Sequence, residues 1–158
     1  MLLIRPYGNA QDERKQEEQM KELDIEAKKE NLSLVIDFVQ EELDRVGCPM
    51  KVQLQVEMAV EEIFINIASY AYYPDTGPSL IRVEVNDSAG SDPLYVILTF
   101  IDHGKPYDPL AKEDPDVTLP ADQRQIGGLG IFMVKKSVDA ISYEYKDGQN
   151  ILKIRKDF

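Results

Sequence analysis

The stretch Leu94-Tyr95-Val96-Ile97-Leu98-Thr99-Phe100-Ile101-Asp102 decides the fold. Its residues are nearly all apolar, which fits a strand covered on both faces and therefore central in a sheet. At this length it falls far short of the roughly 18 residues that would cross a membrane. Upstream, residues 81–86 read as a second strand, and the polar run Asp87-Ser88-Ala89-Gly90-Ser91-Asp92-Pro93 between the two has hairpin length. Further back, Leu23, Ile25 and Ala27 alternate with charged residues, the period of a half-buried strand, and residues 32–46 switch to apolar positions at helical spacing. Gly47-Cys48-Pro49 reads as the stop of that helix. Residues 51–72 form a second, more apolar helix that the turn-rich Tyr73-Pro74-Asp75-Thr76-Gly77-Pro78 ends.

Downstream, residues 106–126 hold four of the nine prolines and many acidic groups, a composition for a long irregular loop. Gly127-Gly128-Leu129-Gly130 then opens a helix to about Val138, and strands at 140–146 and 151–156 pair across Asp147-Gly148-Gln149-Asn150. Strands punctuated by two or three helices give an α+β two-layer sandwich, with helices on one face of a mostly antiparallel, mixed sheet.

The 158 residues, 43% hydrophobic, suffice for one compact domain burying roughly 70% of its unfolded surface. That domain is expected over 21–158. Residues 1–20 form a charged extension, disordered or helical, and Met20 is a second candidate start. The net charge of −11, with no basic stripe, argues against direct nucleic-acid binding. Cys48 is the single cysteine, so no intrachain disulfide forms, and a structural role suits it. With neither a membrane span nor a signal-peptide core, the cytoplasm is the expected location.

Glu62 and Asn66 carry the best clue to chemistry. They stand one helical turn apart in a segment with no Lys or Arg between Val52 and Ile81, so a carboxylate and a carboxamide share one face. Such pairs are often surface decoration. Here Ala59 and Ile63 flank the pair on one side and Met58 and Ile65 on the other, which favours a general base at Glu62 and a hard oxygen ligand for Mg²⁺ at Asn66. Glu61 faces away and is taken as solvated. Asp102 ends the central strand before His103-Gly104, where it either reads an amino group or caps the turn while Gly104 supplies a positive φ. The lone His103 has no second His or Cys at zinc-ligand spacing. Gly127, Gly128 and Gly130 precede a helix, whose unpaired amides suit phosphate oxygens, although glycine clusters also serve ordinary turns. Neither a dinucleotide fingerprint nor a P-loop is present. Of the nearby cations Arg124, Lys105, Lys135 and Lys136, Arg124 ranks first for phosphate.

The order Glu62-x-x-x-Asn66, Asp102-x-Gly104, Gly128-x-Gly130 resembles the GHKL ATPase superfamily. Ala59-Val60-Glu61-Glu62-Ile63-Phe64-Ile65-Asn66-Ile67-Ala68 resembles its N box, and Asp102-His103-Gly104 and Gly127-Gly128-Leu129-Gly130-Ile131 its two glycine boxes. The match spans roughly Leu23 to Phe158. The wording Asp102-His103-Gly104-Lys105-Pro106-Tyr107-Asp108-Pro109 is most similar to the anti-sigma-factor serine-protein kinases. The resemblance implies a Bergerat-type fold binding ATP or ADP with Mg²⁺. In it Asp102 and Gly104 meet the adenine, Asn66 holds the metal, and Gly127, Gly128, Leu129 and Gly130 cradle phosphates beneath a lid at 106–126. It further implies Glu62 as the base that helps a serine of an antagonist protein attack the γ-phosphate, a sigma factor as partner, and a homodimer. Tyr70 departs from the histidine of several relatives, and Ile126 stands where a phosphate-facing arginine is expected, two residues after Arg124. Two other readings compete: a non-catalytic module in which nucleotide switches a protein interface, and a detached histidine-kinase catalytic domain.

Overall fold

The computed structural model describes residues 20–86, 94–123 and 128–158. Five strands, β1 (Met20–Glu26), β2 (Pro78–Asn86), β3 (Tyr95–Asp102), β4 (Ala140–Lys146) and β5 (Gln149–Asp157), pair antiparallel in the order β1-β2-β3-β5-β4. Three helices, α1 (Leu32–Arg45), α2 (Met50–Asn66) and α3 (Leu129–Ser137), supply the second layer. The α+β sandwich read from the sequence is the one found, with β3 at its centre.

Register explains where the sheet can hold chemistry. On the inner face, Ile81, Phe100 and Leu152 lie side by side, as do Val83, Leu98 and Ile154. These pack with Val35, Val39 and Leu43 of α1 and Val56, Val60, Ile63 and Phe64 of α2 in the core. The last inner row is different. Ser79, Asp102 and Asn150 are paired across β2, β3 and β5, and all three are buried polar side chains. A buried polar row survives only if its hydrogen-bonding groups find partners. Ser79 donates from Oγ to the Ile25 carbonyl at 2.9 Å, while the other two belong to the site below.

Local chemistry sets the element ends. At the end of α1, Gly47 adopts φ 68°, its N–H donates to Asp44 O, and the Cys48 N–H donates to Leu43 O at 2.9 Å, a Schellman closure that only glycine makes at low cost. The β4–β5 hairpin turns on Asp147 and Gly148 alone, with φ of 52° and 76°, the pattern of a two-residue type I′ turn. The turn is therefore tighter than the four residues read from the sequence, and Gln149 and Asn150 belong to β5. The second helix also ends differently: α-helical bonding stops at Asn66 and Ile67–Ala71 forms a π-helical turn. One buried carboxylate in the helical layer is structural. Glu42 accepts from Lys21 Nζ at 2.5 Å and Arg45 Nε at 3.1 Å. Burial opposes its charge, yet the two cations hold its carboxyl below the ordinary range.

Candidate functional site

A cavity of about 240 Å³ opens between the helical layer and the polar end of the sheet. Ile63, Ile67, Phe100, Ile131 and Leu152 give it apolar walls, and Asn66, Asp102, Tyr143 and Asn150 contribute polar groups. A greasy cleft with a few fixed polar groups is the usual form of a small-molecule site.

The sheet builds the first part. Asp102 is only 4% exposed, and its Oδ1 accepts the Gly104 N–H at 2.9 Å and the Asn150 Nδ2–H at 2.9 Å. Oδ2 has no partner among the described residues. The turn-capping bond and the free oxygen thus coexist on one carboxylate. Gly104 is glycine for a different reason from the one its sequence suggested. Its φ is not positive, but a Cβ there would lie 2.3 Å from the Ala71 carbonyl oxygen, so the chain passes too close to α2's end for any side chain. The π turn makes this approach useful: the Ala71 carbonyl accepts the Lys105 N–H at 3.0 Å, joining the two backbones.

The helices build the rest. Asn66 donates from Nδ2 to Glu62 Oε1 at 2.9 Å, and both side chains are half-buried. Asn66 lines the cavity, and its Oδ1 has no partner among the described residues. Glu62 reaches α3: a Cβ on Gly130 would fall 2.1 Å from the Glu62 carboxyl carbon. Gly130 is therefore where the carboxylate rests. Gly128 precedes α3 in the left-handed region at φ 84°. The first bond of the helix runs from Phe132 N to Gly128 O at 3.0 Å, which leaves the amides of Leu129, Gly130 and Ile131 without intrahelical acceptors. The Leu129 side chain is exposed.

Asn66 and Asp102 thus line one cavity, whereas Glu62, Gly104, Gly128, Leu129 and Gly130 are not among its lining residues; Glu62 is tied to the site through its hydrogen bond with Asn66 and its contact with Gly130. Gly127 and Arg124 lie outside the described residues. Among the other cations, Lys105 lines the cavity and donates to the Tyr73 carbonyl at 3.1 Å. Lys135 pairs with Asp114, and Lys136 lies 5.4 Å from the Phe132 ring centre, so neither faces an open phosphate position unpartnered. Tyr70 is 65% exposed and lines the cavity. Glu61 is exposed. Among the described residues no three His, Cys, Asp or Glu side chains converge to hold a metal, and no helix is long and apolar enough to cross a membrane. The Asn66 amide oxygen is a hard donor of the kind Mg²⁺ accepts beside waters and substrate phosphates.

Asn150 and Tyr143 escaped the sequence reading. Asn150 Oδ1 accepts from Tyr143 Oη at 2.6 Å and from the Tyr107 N–H at 3.1 Å, and its Nδ2 also donates to the Lys105 carbonyl at 2.9 Å. Burial pushes the Tyr143 phenol above its ordinary value, against the opposing Tyr107 amide, so it stays a donor at neutral pH. The available signal was the Asp147-Gly148 pair, which as a two-residue turn puts Asn150 into a strand.

A family model described as histidine kinase-like ATPase domain matches residues 25–156. The chain belongs to that family. As a histidine kinase-like ATPase domain it binds nucleotide, and its antiparallel sheet with three helices on one face has the GHKL form. It is also similar to a serine/threonine-protein kinase, BtrW, of Bordetella bronchiseptica, at 26% identity over 102 residues, which cover 65% of this chain and 68% of that protein.

Proposed function

We propose that this ATPase domain is a Mg²⁺-dependent serine-protein kinase of the anti-sigma regulatory type, which transfers the γ-phosphoryl group of ATP to an antagonist protein. The observation that carries this reading is the Glu62 carboxylate: it is hydrogen-bonded to Asn66 and seated on Gly130 in the first turn of α3. A general base belongs beside the acceptor hydroxyl, and this carboxylate lies between the proposed metal ligand and the proposed phosphate cradle.

In the proposed reaction, Asp102 Oδ2 accepts from the amino group of adenine while the apolar walls cover the ring. The free amides of Leu129, Gly130 and Ile131 meet phosphate oxygens at the positive end of α3. Asn66 Oδ1 is the oxygen this chain would offer to Mg²⁺, and the ion, when bound, would offset charge on the phosphoryl oxygens. Glu62 takes the serine proton as the serine oxygen bonds to the γ-phosphorus. The bond from that phosphorus to the bridging oxygen breaks, and its electron pair leaves with ADP. Positioning and electrostatics carry such a transfer, since little covalent work falls to the protein. Sigma-factor binding and a homodimer belong to the same proposal and rest on the resemblance, while a cytoplasmic setting is proposed from the sequence, which has no apolar run of membrane-spanning length.

Incubation with γ-labelled ATP, Mg²⁺ and a serine-bearing anti-sigma antagonist protein tests this. Phosphoserine on the antagonist is expected, lost with Glu62→Gln while Mg-ATP binding persists. Binding without any transfer by the parent would instead favour the non-catalytic module.

A further inference from the structure

The helices leave large apolar side chains in water on both sides of Glu62. Met58, one turn before it on α2, is 39% exposed, and Leu54, one turn earlier still, is 58% exposed. Ile65, three residues after Glu62, is half-buried. Across the seam, Leu129 adjoins Gly130, the residue on which the Glu62 carboxylate rests, and Met133 follows by one turn; they are 43% and 44% exposed. Residues three or four apart on a helix are surface neighbours, so the carboxylate stands inside a collar contributed by two helices. None of these five apolar side chains belongs to the core or lines the nucleotide cavity.

A contiguous exposed apolar patch marks an interaction surface, and methionine suits one because its flexible thioether adapts to a partner. The position of the collar says what comes there. Glu62 is absent from the cavity lining and half-buried between α2 and α3. With nucleotide in the cavity, an acceptor hydroxyl therefore reaches the carboxylate from the solvent side of that seam, across the collar. Charge narrows the occupant further. Glu61 is exposed with no partner among the described residues, no Lys or Arg lies between Val52 and Ile81, and on α3 Lys135 is already paired with Asp114. An apolar surface with an anionic rim repels anionic lipid and favours a protein with a basic edge.

We infer that Leu54, Met58, Ile65, Leu129 and Met133 form the docking surface for the phospho-acceptor protein, which presents its serine beside large apolar side chains and a lysine or arginine. This rests on the kinase reading above and specifies the chemistry of its partner. One helical turn rises about 5.4 Å, so the partner's apolar contacts lie within roughly that distance of the acceptor hydroxyl. A serine peptide without them should be a poor substrate.

Steady-state transfer from labelled ATP to a serine-bearing anti-sigma antagonist protein, with the full chain at saturating Mg-ATP, tests this. The double variant Met58→Gln/Met133→Gln keeps the size of both exposed side chains and adds no charge. It should raise KM for the antagonist about tenfold, the worth of one large buried apolar side chain. Its kcat and calorimetric Mg-ATP affinity should stay within about twofold of the parent, as for other surface substitutions. Met58→Leu/Met133→Leu should keep the parent KM, and Glu61→Gln should raise it about threefold at low salt and less at high salt. A parent-like KM in the glutamine variant, or a fall in kcat alone, would overturn the inference and leave the kinase standing. Faster transfer by that variant would assign the collar to the chain's own residues 1–19, an altered mass by light scattering to a second copy, and loss of vesicle binding shown by the parent to a membrane. Each of these results also overturns docking of the acceptor. No transfer by the parent would remove the kinase reading and this inference together.

Discussion

Gly130→Ala perturbs the placement of Glu62 directly. The added methyl would lie 2.1 Å from the Glu62 carboxyl carbon and 2.2 and 2.3 Å from its oxygens, against ordinary contact at 3.4 Å or more, so the carboxylate must retreat by over 1 Å. It is the end of a flexible side chain and can do so. Alanine in a helix gains about 1 kcal/mol over glycine, and the displaced carboxylate loses the Asn66 hydrogen bond, also about 1 kcal/mol. Stability should therefore stay within about 1 kcal/mol of the parent. Catalysis should not, because a misplacement of about 1 Å in a catalytic group costs on the order of a hundredfold. Single-turnover transfer from labelled ATP to the antagonist, at saturating Mg-ATP, should fall by about that factor, while thermal unfolding changes little. Transfer at the parent rate in a folded variant would refute the role given to Glu62. A large loss of stability would show that backbone, not the carboxylate, had to move.

Gly104→Ala should behave in the opposite way, since its Cβ would meet the Ala71 carbonyl rather than a side-chain tip: overpacking and a broken Lys105 N–Ala71 O bond should cost about 3 kcal/mol, a fall in Tm of roughly 6–12 °C by calorimetry. Glu42→Gln should lower stability by about 1 kcal/mol at neutral pH, a modest figure because Lys21 and Arg45 remain water-exposed. Because folding lowers the Glu42 pKa below its ordinary 4.5, the parent's advantage is full above that value and vanishes as pH falls through the folded one; urea melts from pH 7 to pH 3 should show the two proteins converging. Burial, with the Asp44 charge adding to it, pushes the Cys48 thiol up, so a thiol reagent at pH 7 should label it only as fast as the chain unfolds, and rapid labelling of native protein would contradict its place in the core.

Features set by local chemistry were legible in the sequence. The apolar run at 94–101 read as a central strand, Gly47 marked the end of α1, and Asp147-Gly148 marked a hairpin. The helical spacing of Glu62 and Asn66 likewise put them within hydrogen-bond reach. What stayed hidden depends on contacts between distant segments. The role of Asn150 exists only because β5 pairs with β3 in a register that sets it against Asp102. Gly104 was read as a turn glycine, since nothing local announces that Ala71 passes beside it. The π turn at Ile67–Ala71 continues the apolar pattern of α2, so its change of pitch leaves no mark in the residue types. Lys135 is committed to Asp114, a partner that spacing alone could not name, whereas Lys136 lies over Phe132, one helical turn back.

The central claim is that Asn66, Asp102 and the start of α3 surround one Mg-ATP molecule. Titration calorimetry with Mg-ATP on the parent, Asn66→Ala and Asp102→Asn tests it most directly. Saturable one-to-one binding by the parent is expected, weakened at least tenfold by Asp102→Asn, with Asn66→Ala losing the dependence on Mg²⁺. No binding by the parent, or parent-like affinity and metal dependence in both variants, would contradict it.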